Sequence, residues 1–196
     1  MSRPTSADRL RADGQPIGDV YLDRAAIAAR VAELGAELAE AYAGTVPLLV
    51  APLKSSAVFL ADLSRAMPLD HELDVIELAP YGSGRGGGGV RLLKDLDAPL
   101  EGRDVLLVED VVDTGLTLGF LTRCFAERGP ASLSAVTLLD RPYRRLVEDI
   151  PLNHIGFTVP DELFAGYGLG LDERWRALPD LHIVNADQLP AAIDAA

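Results

Sequence analysis

"VLLVEDVVDTGLTL" (Val105–Leu118) runs from four apolar residues into three acids, Glu109, Asp110 and Asp113, and then through a Thr-Gly turn toward a helix. With "RDVLLVED" before and "ASLSAVTLLD" after the helical "LTLGFLTRCFAERG", it forms a strand, helix, strand unit. Strands this continuously apolar belong to a parallel sheet covered on both faces. Ligands of such sheets bind beyond the carboxyl ends of the strands, where Glu109 and Asp110 fall. Three carboxylates this close repel, and cations or hydrogen-bond donors are needed to keep them ionised. Two adjacent sugar hydroxyls are suitable donors, because a carboxylate only accepts. Asp113-Thr114-Gly115-Leu116-Thr117 then offers backbone N–H groups, two hydroxyls and a helix N-terminus, the parts of a phosphate cradle that Gly115 lets a ligand approach closely. Diol and phosphate together describe a ribose 5-phosphate. Acids also cap helices, but two before the turn and one inside it exceed what a cap needs. The lysine of a Walker A loop is missing.

Outward from this unit the pattern continues. "RAAIAARVAELGAELAEAYAG" (Arg24 to Gly44) carries Ile27, Val31, Leu34 and Leu38 at helical spacing. "VPLLVAPL" reads as a buried strand, and "SSAVFLADLSRAM" as a helix capped by Ser55 or Ser56. "ELDVIELA", "HIGFTVP" and "LHIVNA" are further strand candidates. "MSRPTSADRLRADGQ" reads as a polar leader, and "PYGSGRGGGGVRLLKDLDAPLEG" as the least regular segment. One α/β domain is the economical organisation.

Composition excludes several classes. The 196 residues can bury a core without staples, and Cys124, the lone cysteine, forms no internal disulfide and suits a reducing cytoplasm. A net charge of −12 opposes a sequence-independent grip on nucleic acid, while leaving room for small anionic ligands. No run approaches a membrane span. His71, His154 and His182 lack metal-ligand spacing, Trp175 reads as a packing anchor, and Arg144 and Arg145 as a solvated face or a subunit contact.

The acidic motif, followed in order by "LLDRPYRR" and "VPDELFAGYGLGLDERWRALP" and preceded by "LKSSAVFLADLSR" and "YGSGRGGGGVRLLKDLD", resembles the type I phosphoribosyltransferases, and among them the hypoxanthine-guanine phosphoribosyltransferases. The resemblance spans about Leu48 to Val184. It implies an α/β fold with a mainly parallel central sheet flanked by helices, as one domain over residues 1–196. A small hood would come from the N-terminal and C-terminal segments, with a flexible active-site loop at about 80–90, including Tyr81 and Gly82. The implied activity transfers 5-phosphoribosyl from phosphoribosyl pyrophosphate (PRPP) to a 6-oxopurine, with magnesium. Glu109 and Asp110 would hold the ribose hydroxyls, directly or through the metal. Asp113 would exchange a proton with the purine, and Thr114, Gly115, Leu116 and Thr117 would wrap the 5-phosphate. Leu53-Lys54-Ser55 matches the pyrophosphate loop, where the family has a cis peptide, and Arg176 matches an arginine that also reaches pyrophosphate. Arg141 stands where a lysine recognises the 6-oxo group, and Leu163 and the main chain of Phe164 would meet the base. The family also implies a cytoplasmic homodimer or homotetramer.

Four positions depart from the family pattern. Leu163 replaces an aromatic that stacks on the purine, Gly170 replaces a metal-associated aspartate, Pro80 replaces a serine of the flexible loop, and Arg141 replaces lysine. Asp172 is placed to compensate for Gly170. Two alternatives therefore stay open: a PRPP-dependent transferase for another base, and a non-catalytic sensor of PRPP or nucleotide on the same fold.

Overall fold

The computed structural model describes residues 17–81, 89–171 and 173–185. Its strands are β1 (Ile17–Leu22), β2 (Leu48–Leu53), β3 (Glu72–Tyr81), β4 (Gly89–Lys94), β5 (Asp104–Val112), β6 (Ser132–Asp140), β7 (Leu152–Thr158), β8 (Phe164–Ala165) and β9 (Leu181–Val184). The helices are α1 (Arg24–Ala41), α2 (Ala57–Ala66) and α3 (Leu116–Ala126), with a 3₁₀ turn at Pro142–Arg144.

The central sheet has the order β4-β3-β2-β5-β6-β7. Its pairs are parallel except for β4, which returns antiparallel on β3. Alternate strand residues feed opposite faces: Leu49, Ala51, Leu106 and Val108 pack with α1 and α2, while Leu48, Val50, Val105 and Leu107 pack with α3. Burial on both faces explains why these strands read as unbroken apolar runs. A three-stranded antiparallel sheet, β1-β9-β8, joins the two ends of the described chain around Ile17, Ala165, Leu178 and Val184.

The chain winds outward in both directions from the centre. From β2 it crosses through α2 to β3, and from β5 through α3 to β6, so the strand order reverses between β2 and β5. These two strands pair only from Leu48–Val50 to Val105–Leu107. Beyond that they part, and a crevice opens at their carboxyl ends, as expected at such a switch point.

Two sequence expectations need amending. Ile17–Leu22, where no strand was expected between the polar leader and the first helix, is β1, and Ile17 is fully buried against the small sheet's core. The segment read as least regular contains a hairpin in which Pro80 pairs with Val90 and Tyr81 with Gly89. Gly82 and Asp172 lie outside the described residues.

Candidate functional site

The crevice between β2 and β5 is a cleft of about 340 Å³ lined by Pro52, Leu53 and Ser55 on one wall and by Glu109 through Gly115 on the other. It therefore gathers the acidic motif and the turn after β2 from two distant parts of the chain.

Glu109 and Asp110 are the last buried acids of β5, each about 5% exposed. Glu109 Oε1 is buried without a hydrogen-bond partner. Burial, and secondarily the charge of Asp110, push the Glu109 carboxyl well above its ordinary range. Burial also raises Asp110, opposed by hydroxyl and backbone donors. Ser55 is first among these donors and Ser56 next; the Ser56 Oγ donates to Asp110 Oδ1 at 3.1 Å and accepts from the Asp110 N–H at 3.2 Å. Ser56 thus occupies the N-cap position of α2 without capping it, because its side chain is committed to β5. The sequence offered this serine as a helix cap, and no local signal marks its longer-range partner.

Asp113 stands at the turn after β5 with Oδ1 buried and unpartnered. Its Oδ2 lies 3.7 Å from Arg141 and 3.6 Å from Arg144. Arg141 is itself buried, anchored through its N–H to Val112 O at 3.0 Å and paired with Asp161. Arg144, expected on a solvated face or at a subunit contact, is exposed, with 48% of its side chain open to solvent, and faces Asp113 from there. Arg141 is the N-cap of the 3₁₀ turn, and residues three apart in such a turn eclipse, so Arg144 shares its face. Arg145 does turn inward, 13% exposed on its side chain, and pairs with buried Asp140.

The phosphate-cradle segment has the required backbone. Gly115 is the N-cap of α3 at φ 80° and provides no side-chain cap; the Leu116 N–H donates to Thr114 Oγ1 at 3.3 Å, and the next N–H groups of the first turn are left for an anion. A Cβ there would come within 2.9 Å of Val147 O, because the chain after the 3₁₀ turn is tied to this loop by the Leu146 and Val147 N–H groups donating to Thr114 O. Gly115→Ala is accordingly expected to cost about 1–3 kcal/mol of stability. It should also weaken phosphate binding. Thermal melts with and without inorganic phosphate check both effects, and an unchanged melt would mean that the turn tolerates a side chain.

The Leu53-Lys54 peptide is cis. Lys54 and Arg176 meet through Glu173: Lys54 Nζ donates to Oε2 at 2.8 Å and Arg176 Nη2 to Oε1 at 3.3 Å. Leu163 is exposed, with its carbonyl accepting from the Val184 N–H at 2.8 Å. Phe164 points into the core, its ring 4.9 Å from that of Tyr21. Neither Leu163 nor Phe164 lines the cleft, although the Arg141–Asp161 pair ties their loop to the turn bearing Asp113. The histidines sit apart: His71 meets Ser64 nearby in sequence, His154 meets Glu37 at 3.4 Å from across 117 positions, and His182 is buried in the small sheet against Gly18 O.

The family model for the phosphoribosyl transferase domain matches residues 18–162. A hypoxanthine phosphoribosyltransferase of Salmonella typhimurium is 43% identical over 164 residues, covering 82% of this chain and 92% of the relative. A hypoxanthine-guanine phosphoribosyltransferase of Bacillus subtilis is 41% identical over 169 residues, covering 86% and 93%. Among solved structures, a Staphylococcus aureus hypoxanthine phosphoribosyltransferase superposes with a TM-score of 0.84 at 34% identity, over 89% of this chain and 95% of that one. A Bacillus anthracis hypoxanthine-guanine phosphoribosyltransferase superposes at 0.81 and 38%, over 86% and 98%. With its switch-point cleft, acidic strand end and open helix N-terminus, the chain belongs to the type I phosphoribosyltransferase family and resembles that family's hypoxanthine-guanine members.

Proposed function

We propose that this enzyme transfers the 5-phosphoribosyl group of PRPP to hypoxanthine or guanine, releasing pyrophosphate and the nucleoside monophosphate in purine salvage. The observation that carries this is a single arrangement. Unpartnered carboxylate oxygens of Glu109 and Asp113 sit beside an uncapped helix N-terminus, with the buried donor Arg141 alongside. The names of the relatives support the same choice of base.

In the transfer, the bond from the anomeric carbon to pyrophosphate breaks and a bond from that carbon to a purine nitrogen forms. The purine's imidazole proton goes to Asp113, whose Oδ1 is free to accept it while two guanidiniums hold Oδ2. Glu109 and Asp110 accept from the ribose hydroxyls, which would satisfy the orphaned Oε1 of Glu109. Thr114 to Thr117 bind the 5-phosphate, and Lys54, Ser55 and Arg176 the pyrophosphate, on which negative charge builds as it leaves. Arg141 donates to the 6-oxo group, Leu163 flanks the base plane, and the main chain at Phe164 meets the base edge.

The oxygen donors at the end of β5 fit magnesium. Among the described residues no group of three or more ligating side chains exists, so the ion would be held by one or two carboxylates together with substrate oxygens, a mode usual for this metal. When bound, it would neutralise the pyrophosphate's charge.

We further propose a single domain in which the β1-β9-β8 sheet serves as the hood; most of the loop expected at about 80–90 lies outside the described residues. We place the enzyme in the cytoplasm as a homodimer or homotetramer. Among the described residues no helix is long and apolar enough to cross a membrane.

The test follows nucleotide and pyrophosphate together from PRPP, magnesium and hypoxanthine. Equal amounts of both are expected, and PRPP binding without either product would favour the sensor instead. Leu163 sharpens the assay. An aromatic stacked on a base is worth about 1–3 kcal/mol, so Leu163→Phe should lower the KM for hypoxanthine by roughly ten-fold at little change in kcat. An unchanged KM would mean that the purine does not lie against this side chain.

A further inference from the structure

Glu173 joins the two cations of the proposed pyrophosphate site, and no step of the transfer uses it. Its carboxylate accepts from Lys54 at 2.8 Å with one oxygen and from Arg176 at 3.3 Å with the other, a bidentate anion between two cations 119 and 3 residues away in sequence. Lys54 and Glu173 are each 64% exposed on their side chains, so water or a ligand can reach this bridge.

Gly170 makes the bridge possible. Any Cβ at that position would stand 2.7 Å from Arg176 Cζ, 2.8 Å from its Nε and 2.9 Å from its Cγ. The arginine therefore lies across the bare backbone, donating from Nη1 to Gly168 O at 3.0 Å while Nη2 reaches Glu173. Arg176 Nε is buried there without a partner, so this packing costs the arginine one donor. The backbone of Glu173 is itself left-handed, at φ 61°, which directs its side chain back over the loop.

We propose that Glu173 is an internal stand-in for pyrophosphate, holding Lys54 and Arg176 in place while the site is empty and competing with the phosphate groups for both. This rests on the assignment of Lys54 and Arg176 to pyrophosphate. A bound pyrophosphate offers more charge than one carboxylate and displaces Glu173. When catalysis ends, the returning carboxylate recaptures the cations and speeds the departure of the product. The contact with Lys54, and secondarily with Arg176, holds the Glu173 carboxyl below its ordinary range, so it remains charged and competitive at neutral pH.

The experiment titrates magnesium pyrophosphate, and separately the nucleoside monophosphate, into the full chain and into Glu173→Gln by calorimetry. Removing an exposed competing charge should tighten pyrophosphate binding by about two- to five-fold. Affinity for the nucleotide, which lacks the pyrophosphate, should stay the same. Gly170→Ala supplies a second variant: by displacing Arg176 from the bridge it should alter pyrophosphate affinity and leave nucleotide affinity alone. Pyrophosphate affinity that is unchanged or weaker in Glu173→Gln overturns the stand-in, as does a parallel change in both ligands. If neither protein binds pyrophosphate although both bind nucleotide, the assignment of Lys54 and Arg176 falls, and the inference falls with it.

Discussion

Asp113→Asn is expected to lower kcat by about 10²- to 10⁴-fold, the range for loss of one proton-transfer group, with PRPP affinity kept within a few-fold. Asparagine preserves the size of the side chain and one oxygen, but it cannot take the purine's proton. The geometry favours this split between chemistry and binding. Oδ1 is buried and unpartnered, while Oδ2 faces Arg141 at 3.7 Å and Arg144 at 3.6 Å. Losing the charge also loosens both arginines, so a smaller rise in the KM for the base accompanies the fall in kcat. Steady-state kinetics beside direct PRPP titration separates the two effects. A kcat unchanged by this substitution would remove Asp113 from the proton transfer.

Glu109→Gln should have opposite effects on stability and on binding. Burial raises the Glu109 carboxyl well above its ordinary value, with the Asp110 charge second, so the folded protein holds this proton more tightly than the unfolded chain does. The resulting stabilisation is complete below the unfolded value near 4.5 and is lost as pH rises through the higher folded value. In the ligand-free protein this carboxylate, whose Oε1 has no partner, thus carries a burial penalty whenever it is ionised. A neutral glutamine relieves it, and a gain of about 0.5–2 kcal/mol is expected, typical of substitutions that relax a functional site. Loss of a hydrogen bond to a charged acceptor costs about 1.5–3 kcal/mol, so PRPP affinity should fall by roughly ten-fold or more. Chemical denaturation between pH 4 and 8 reads the first effect: the wild type should lose stability relative to Glu109→Gln as pH rises. A variant that is less stable than the wild type at pH 7 would contradict this.

The parts of this molecule that were legible in its sequence share a physical cause. β2, β5 and β6 are buried on both faces, so they appear as apolar runs, and the acids that end β5 stand out against them. The helix after Gly115 was legible because a glycine turn precedes an apolar face carrying Leu118, Leu121 and Phe125. β1 was missed because only Ile17 and Gly18 are buried in a strand otherwise mostly exposed, which reads as polar. The partners of the site were least visible. Ser56 reaches Asp110 across 54 positions and Glu173 reaches Lys54 across 119, and neither contact leaves a local pattern. Arg144 was within reach of sequence reasoning, since its spacing from Arg141 places both on one face of a 3₁₀ turn. Pairing two arginines with Asp113 and Asp161 required the loop of Leu163 to come back to this turn.

Under the proposed assignment, Arg141 would also determine which base is turned away. A guanidinium only donates, so it satisfies a 6-oxo group and opposes a 6-amino group, which donates as well. A site built to hydrogen-bond one partner can reject the mismatched one by about 10⁴-fold. The decisive measurement is kcat/KM for hypoxanthine, guanine, xanthine and adenine in parallel, with PRPP and magnesium and with nucleotide and pyrophosphate followed together. Turnover of hypoxanthine or guanine, with adenine lower by about three to four orders of magnitude, is the expected result. Adenine turning over as well as hypoxanthine, or no purine reacting while PRPP binds, would contradict transfer to a 6-oxopurine at this site.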